Sequence, residues 1–287
     1  MEQEISKIKK RKFVFYRQIF FVALTLGLKE QSFLGQPWIP LLFKIVPKKY
    51  RRSLALRILG ASPHYFIYQY SKYPSTMSRM EILEAEYQRN VASRKEICEQ
   101  VLRPYLRTQM TALDFGCGPG WFAKEVARYS KQVLAVDISC GTIACAKELN
   151  NADNISYYVN NGKDLSVLND SSVDLIYSFA VVQHLREELF KGFLREFFRV
   201  LKPQGKVICH IALSDEPDTK LEHKHNSFIF RYLKRTLGVC WISRCSGEVA
   251  QKIIDTGFEQ PTIIPVKQVC NVDDDIANQH LFVFSKP

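Results

Sequence analysis

Acidic side chains are scarce in the first quarter of this sequence: residues 1–80 carry 3 of them against 15 basic ones, a net of +12. The following 207 residues carry 26 acidic and 25 basic side chains, so the whole +11 excess lies in the N-terminal segment. This is a near-neutral domain with a basic extension rather than a uniformly basic protein. Long apolar runs are also missing. The longest near the start, 19–28, has 10 residues and is bounded by Arg17 and Lys29, too short to cross a bilayer as a helix. Basic residues at 7–12 precede it, but Lys29-Glu30-Gln31 follows where a signal peptide needs small residues for cleavage. The eight cysteines include no CxxC pair and no Cys/His spacing that would close a tetrahedral zinc site. Scattered thiols of this kind suit a reduced, cytoplasmic compartment. Internal repeats and low-complexity tracts are absent too. At 287 residues with 46% hydrophobic and 24% charged side chains, the chain is long and apolar enough to bury a full α/β core, which excludes disordered and mini-protein classes.

What is present falls into two parts. Residues 1–80 interleave basic clusters (Lys9 to Lys12, and Lys48-Lys49-Tyr50-Arg51-Arg52) with Phe13, Phe15, Phe20, Phe21, Trp38 and Phe43, and prolines break the stretch into short pieces. From residue 80 to 106, Ile82, Leu83, Val91, Ile97, Val101 and Leu102 recur at helical spacing. Strands then alternate with helices. We expect strands at 112–115, 133–136, 155–159, 173–179 and 206–211, and helices at 121–129, 142–149 and 185–201. That alternation means parallel pairing through crossover connections, a Rossmann-like doubly wound sheet. A helix at 246–256 and two strands at 262–266 and 281–284 follow. With only a loop between them, those strands form a reversed, antiparallel hairpin at the sheet's C-terminal edge. The polar, basic stretch 214–244 fits neither pattern and reads as an insertion. The expected division is thus an N-terminal helical extension, 1–80, and an α/β domain, 81–287.

The strand at 112–115 runs directly into Gly116-Cys117-Gly118-Pro119-Gly120, and a helix opens at Trp121. Glycines there allow a tight turn and the close approach of a ligand to bare peptide groups, while the helix start offers unpaired N–H donors. Asp137 stands at the end of the next strand, 21 residues after Gly116. A carboxylate in that place accepts hydrogen bonds from both hydroxyls of a ribose. A nicotinamide dinucleotide site wants G-x-G-x-x-G, and its third glycine falls here on the bulky Trp121. The glycine comes one position earlier.

Leu113-Asp114-Phe115-Gly116-Cys117-Gly118-Pro119-Gly120 resembles the first motif of the class I S-adenosylmethionine-dependent methyltransferases. Val133 to Ser139 is similar to their second strand with its ribose-binding acid, Ser172 to Ser178 to their fourth strand, and Arg199 to Lys206 to the turn into the fifth. The resemblance extends over residues 110–212. It implies S-adenosylmethionine as cofactor, held by Asp114, Gly116, Cys117, Gly118, Gly120, Asp137, Ile138, Asn161, Gly162, Ser178 and Phe179. Asn161 stands where the family commonly has an aspartate that meets the adenine amino group, and an amide oxygen can accept the same hydrogen bond. Gln204 replaces the first glycine of the family's usual Pro-Gly-Gly turn. No metal is implied.

A sulfonium methyl is already activated, so the protein's task is to align the nucleophile and exclude water. His184, just past the fourth strand, is the candidate base for an acceptor that must lose a proton; the competing role is to pack or cap the following helix. The Pro-Pro-Tyr/Phe stretch that clamps planar amines in DNA-base and some protein-amide methyltransferases is missing from Ser178-Phe179-Ala180-Val181. The acceptor expected is a small molecule or a lipid-like metabolite. An RNA methyltransferase and a non-catalytic S-adenosylmethionine-binding protein are the alternatives. The basic, aromatic extension suits a peripheral contact with an anionic membrane, a small helical lid over the acceptor pocket or, less well, nucleic acid.

Overall fold

A computed structural model describes residues 33–61, 73–74, 76–214, 242–270 and 279–287. Phe13, Phe15, Phe20 and Phe21, and nearly all of the expected insertion, lie outside the described residues. Among the described residues the α/β domain is a seven-stranded sheet of order β3-β2-β1-β4-β5-β7-β6. Its strands are β1 (Thr111–Phe115), β2 (Gln132–Asp137), β3 (Ile155–Val159), β4 (Val173–Ser178), β5 (Leu201–Ile211), β6 (Thr262–Pro265) and β7 (His280–Ser285). The first five pair in parallel; β7 is antiparallel to both β5 and β6. The expected edge hairpin is therefore present, with β6 outermost and β7 inserted beside β5.

Alternate strand residues feed two separate cores, as the period of two requires. Ala112, Val133, Ala135, Leu175, Tyr177 and Ile208 pack on one face against α4 (Trp121–Val126) and α5 (Cys140–Leu149). Leu113, Phe115, Val136, Ile176, Val207 and Phe282 pack on the other against α6 (Glu187–Val200) and α7 (Ser246–Asp255). Helices on both faces of a mostly parallel sheet are the doubly wound arrangement.

N-terminal to the sheet lie α1 (Trp38–Ile45), α2 (Lys48–Ala61) and α3 (Arg79–Ile97). Leu34, Ile39, Phe43, Leu56 and Leu59 join Leu83 and Tyr87 of α3, Trp121 of α4, and Cys145 and Leu149 of α5 in a third cluster. The extension is thus fastened to α5. A capping box starts α3: Ser78 Oγ accepts from the Glu81 amide at 3.3 Å and Glu81 Oε2 accepts from the Ser78 amide at 2.6 Å.

Several boundaries differ from the sequence expectation. The helical stretch expected over 80–106, interrupted by Pro104 near its end, is α3, then a π turn (Cys98–Leu102), then a 3-10 turn (Arg103–Tyr105) containing Pro104, because proline cannot continue an α-helical ladder. The helix expected over 121–129 stops at Val126, and α6 begins at Glu187 rather than 185. β5 begins at Leu201, five residues early, since Leu201 already pairs with Val173 before the register shifts at Leu175. β6 ends at Pro265, and a short α8 (Val266–Val269) stands where only a loop was expected before β7.

Candidate functional site

The carboxyl ends of β1, β2, β3 and β4 bring the expected residues to one edge of the sheet. After β1, Gly116, Gly118 and Gly120 all adopt left-handed backbone, with φ of 75°, 52° and 82°, which L side chains rarely tolerate. The Gly116 and Cys117 amides donate to the Val136 carbonyl at 2.8 and 2.9 Å, so the turn folds back onto β2. Gly120 is then the N-cap of α4.

Asp137 is fixed from both sides. Its Oδ2 accepts from the Gly118 amide at 3.0 Å and its Oδ1 from the Ser139 amide at 2.8 Å. Burial pushes the carboxyl pKa up, while those two amides hold it down. A carboxylate offers about four acceptor positions, so each oxygen keeps one for a ligand. Ser139 also caps α5 through its Oγ, which accepts from the Thr142 amide at 3.4 Å. Next to the carboxylate, Ile138 is 68% exposed. Its Cδ1 lies 2.7 Å from where a Cβ on Gly162 would stand, and Gly162 has φ of 75°. The exposed isoleucine thus closes over a left-handed glycine of the neighbouring loop, leaving an apolar shelf beside the acid.

Asn161 is exposed on that loop. Its Oδ1 accepts from the Lys163 and Asp164 amides at 2.8 and 3.0 Å, and its Nδ2 donates to Asp164 Oδ1 at 2.9 Å. The oxygen expected to meet an adenine amino group therefore already shapes its own turn. At the third edge, Ser178 Oγ donates to the Phe115 carbonyl at 3.0 Å, tying β4 to β1. Phe179 stacks on Phe122 with centroids 4.5 Å apart. His184 closes a one-turn 3-10 helix (Val182–His184) and is half-buried.

Beneath this edge lies Asp114, fully buried with Oδ2 lacking a hydrogen-bond partner. Burial pushes its carboxyl well above the usual range, and the charge of Asp137 adds to the rise, against the Tyr177 hydroxyl. Burial likewise raises the Cys117 thiol, so it is held as an inert S–H.

Five supports of the site lie outside the residues that the sequence singles out. Val181 covers Gly116, and the Tyr157 hydroxyl covers Gly120. Asn150, itself buried, donates to the Pro119 carbonyl at 2.8 Å and accepts at Oδ1 from Tyr87 of α3 at 2.8 Å, linking the N-terminal helices to the glycine turn. His210 Nδ1 accepts from the Ala180 amide at 3.1 Å, where Ala180 sits at φ of 58°. Arg244 donates to the Val182 and Leu185 carbonyls at 3.0 and 2.6 Å, gripping the His184 turn on both sides. The inward alternation of Ile155 and Tyr157 hinted at the tyrosine; nothing local marked the others. Of the insertion, Ser214 and 242–244 are described. Among the described residues no group of three or more His, Cys, Asp or Glu could hold a metal ion.

Residues 113–209 match the family model described as a methyltransferase domain. The chain is 31% identical over 126 residues to the malonyl-(acyl-carrier protein) O-methyltransferase of Erwinia billingiae, covering 43% of this chain and 48% of that protein. It is 29% identical over 97 residues to the ubiquinone biosynthesis O-methyltransferase of Xanthomonas oryzae, covering 33% of this chain and 40% of that one. The matched region spans at most about half the length of these curated relatives. Among solved structures, the fold is similar to a chain in the complex between the Haloferax volcanii Trm112 methyltransferase activator and a methyltransferase. That likeness has a TM-score of 0.54 at 17% identity and covers 74% of this chain and 100% of that chain.

Proposed function

We infer that this chain, which belongs to the class I S-adenosylmethionine-dependent methyltransferase family through residues 113–209, moves a methyl group from S-adenosylmethionine to a small-molecule or lipid-like acceptor. The observation that carries the reading is the Asp137 carboxylate, held by the Gly118 and Ser139 amides with one acceptor position left on each oxygen. Two adjacent ribose hydroxyls are the complementary donor pair. Residues 116–120 lie along the methionine end, with Asp114 supporting the turn from below. Ile138 and Gly162 flank the adenine face, and Asn161 shapes the loop at its edge; to accept from the amino group, its oxygen must give up one of the two amides it now holds. Ser178 and Phe179 wall the sulfonium end.

The cofactor supplies a methyl group already activated by a positive sulfur. The chain's own part is to orient the acceptor behind that carbon and keep water out. His184 is the base for an acceptor hydroxyl or amine, its turn held by Arg244. The curated relatives are named for O-methylation in malonyl-(acyl-carrier protein) and ubiquinone biosynthesis, which supports an oxygen acceptor on a lipid-like or carrier-bound molecule. Calorimetry with S-adenosylhomocysteine tests the site. Asp137→Ala removes two charge-assisted hydrogen bonds of roughly 1.5 to 3 kcal/mol each, so the wild type should bind and the variant should lose at least tenfold in affinity. Unchanged binding in the variant sinks the assignment. Tritium transfer from labelled cofactor into small-molecule and lipid extracts tests the reaction, and binding without transfer in either extract would leave a binding protein.

A further inference from the structure

Helix α1 is apolar on two opposite sides. At about 100° per residue, Ile39 and Phe43 point inward and are buried in the cluster with α5, whereas Trp38, Leu41 and Ile45 form a stripe on the far side. Trp38 is 44%, Leu41 51% and Ile45 79% exposed, and Tyr50, in the first turn of α2, is 54% exposed. Large apolar side chains grouped in this way on one short surface mark an interaction site rather than chance exposure.

The charges beside the stripe indicate the partner. Residues 38–61 contain no acidic side chain. Arg51 and Arg52 are spent within the protein, Arg51 on Glu148 at 3.5 Å and Arg52 on Glu84 at 2.6 Å. Lys44, Lys48 and Lys49 remain exposed and have no carboxylate partner among the described residues. The Arg51 Nε bond to the Val46 carbonyl at 2.9 Å fixes the corner between the two helices, so Ile45, Lys48, Lys49 and Tyr50 are presented together. We propose that this surface, Trp38, Leu41 and Ile45 with Lys44, Lys48 and Lys49, docks the protein on an anionic lipid bilayer.

Aliphatic side chains gain by entering the acyl boundary, and lysines around them gain from anionic headgroups. Leu41 and Ile45 have no ring to stack on a base, so nucleic acid uses only half of the surface. A second copy of the chain would bring like charges together. Among the described residues no helix is long and apolar enough to span a membrane, and the stripe with its flanking lysines has the amphipathic form of a contact at the bilayer surface. The stripe also begins close to the candidate site: the Gly35 and Gln36 carbonyls each accept from the Cys140 thiol at 3.4 Å, and Cys140 opens α5 just beyond Asp137 and Ser139.

The test is flotation of the full chain with phosphatidylcholine vesicles, with and without phosphatidylglycerol. The wild type should float only with the anionic vesicles. Leu41→Glu/Ile45→Glu and Lys44→Glu/Lys48→Glu/Lys49→Glu should each weaken partitioning by about tenfold or more, with the unfolding midpoint and S-adenosylhomocysteine affinity as in the wild type. Either variant floating like the wild type overturns the proposal. So does a wild type that fails to float, or that floats equally well without phosphatidylglycerol. Light scattering that shows a dimer dissociated by the Leu41→Glu/Ile45→Glu change, or an RNA gel shift abolished by it while vesicle binding persists, overturns it as well.

Discussion

Val181 fills the space that a side chain on Gly116 would need: its Cγ2 lies 2.3 Å from the ideal Cβ position. The glycine is thus required twice, once by its φ of 75° and once by a neighbour 65 residues further along the chain. Gly116→Ala should cost about 1 to 2 kcal/mol from the left-handed backbone alone, with the clash added. Adding Val181→Ala should relieve the clash but not the backbone term. In urea unfolding of the four proteins, the double variant should therefore be more stable than the two single costs predict, by about 0.5 to 3 kcal/mol. Strict additivity would show that the contact does not constrain the turn.

The buried Asp114 should make stability depend on pH. Burial, joined by the charge of Asp137, raises its folded pKa above that of the unfolded chain, so the folded state favours the protonated acid. That contribution is fully present below an unfolded value of about 3.9 and is lost as pH rises toward the folded value. Near neutral pH, then, the buried acid costs the protein stability. Asp114→Asn keeps a polar group in that place but cannot ionise, so it should be more stable than the wild type at pH 7 by the removed cost of ionisation or proton uptake. The advantage should vanish in acid, and paired urea titrations at the two pH values check both parts. A variant less stable at pH 7 contradicts the argument.

His184 separates chemistry from packing. As a general base it should lower kcat by about 10² to 10⁴ when replaced by alanine, with S-adenosylhomocysteine affinity unchanged. A lower unfolding midpoint with normal turnover per folded molecule would assign it to the packing of the Arg244-held turn instead.

Gln204 carries a left-handed backbone, φ 66°, in the segment where the related motif usually has glycine. Its amide donates to the Lys286 carbonyl at 3.0 Å, and the Lys286 amide donates to the Gly205 carbonyl at 3.0 Å, so the conformation is enforced by pairing with the chain's end. Gln204→Gly should stabilise the protein by about 0.5 to 1 kcal/mol, the steric relief exceeding the added chain entropy. Thermal unfolding measures it directly, and no gain would mean that the side chain pays back its strain elsewhere.

How far the site was legible follows from where its parts are encoded. Asp137 could be found because strand, glycine turn, helix and acid follow one another at a fixed spacing, and each step is local. Asn150, His210 and Arg244 could not. They reach Pro119, Ala180 and Val182 across 31, 30 and 62 residues, and no periodicity in the sequence records such a meeting. The early start of β5 has the same origin, since Leu201 becomes strand by pairing with Val173.

The sequence by itself determined the alternation of strand and helix, the reversed hairpin and the acid at the end of the second strand, because side-chain periodicity and glycine's lack of a Cβ act within a few residues. Only the tertiary structure decided which amides hold the Asp137 carboxylate, which side chains occupy the space above Gly116 and Gly120, and which side of α1 faces outward. Those depend on the parallel register that sets Phe115 against Val136 and on the packing of α1 and α2 over α5. Both are products of chain segments that meet only when the whole core closes.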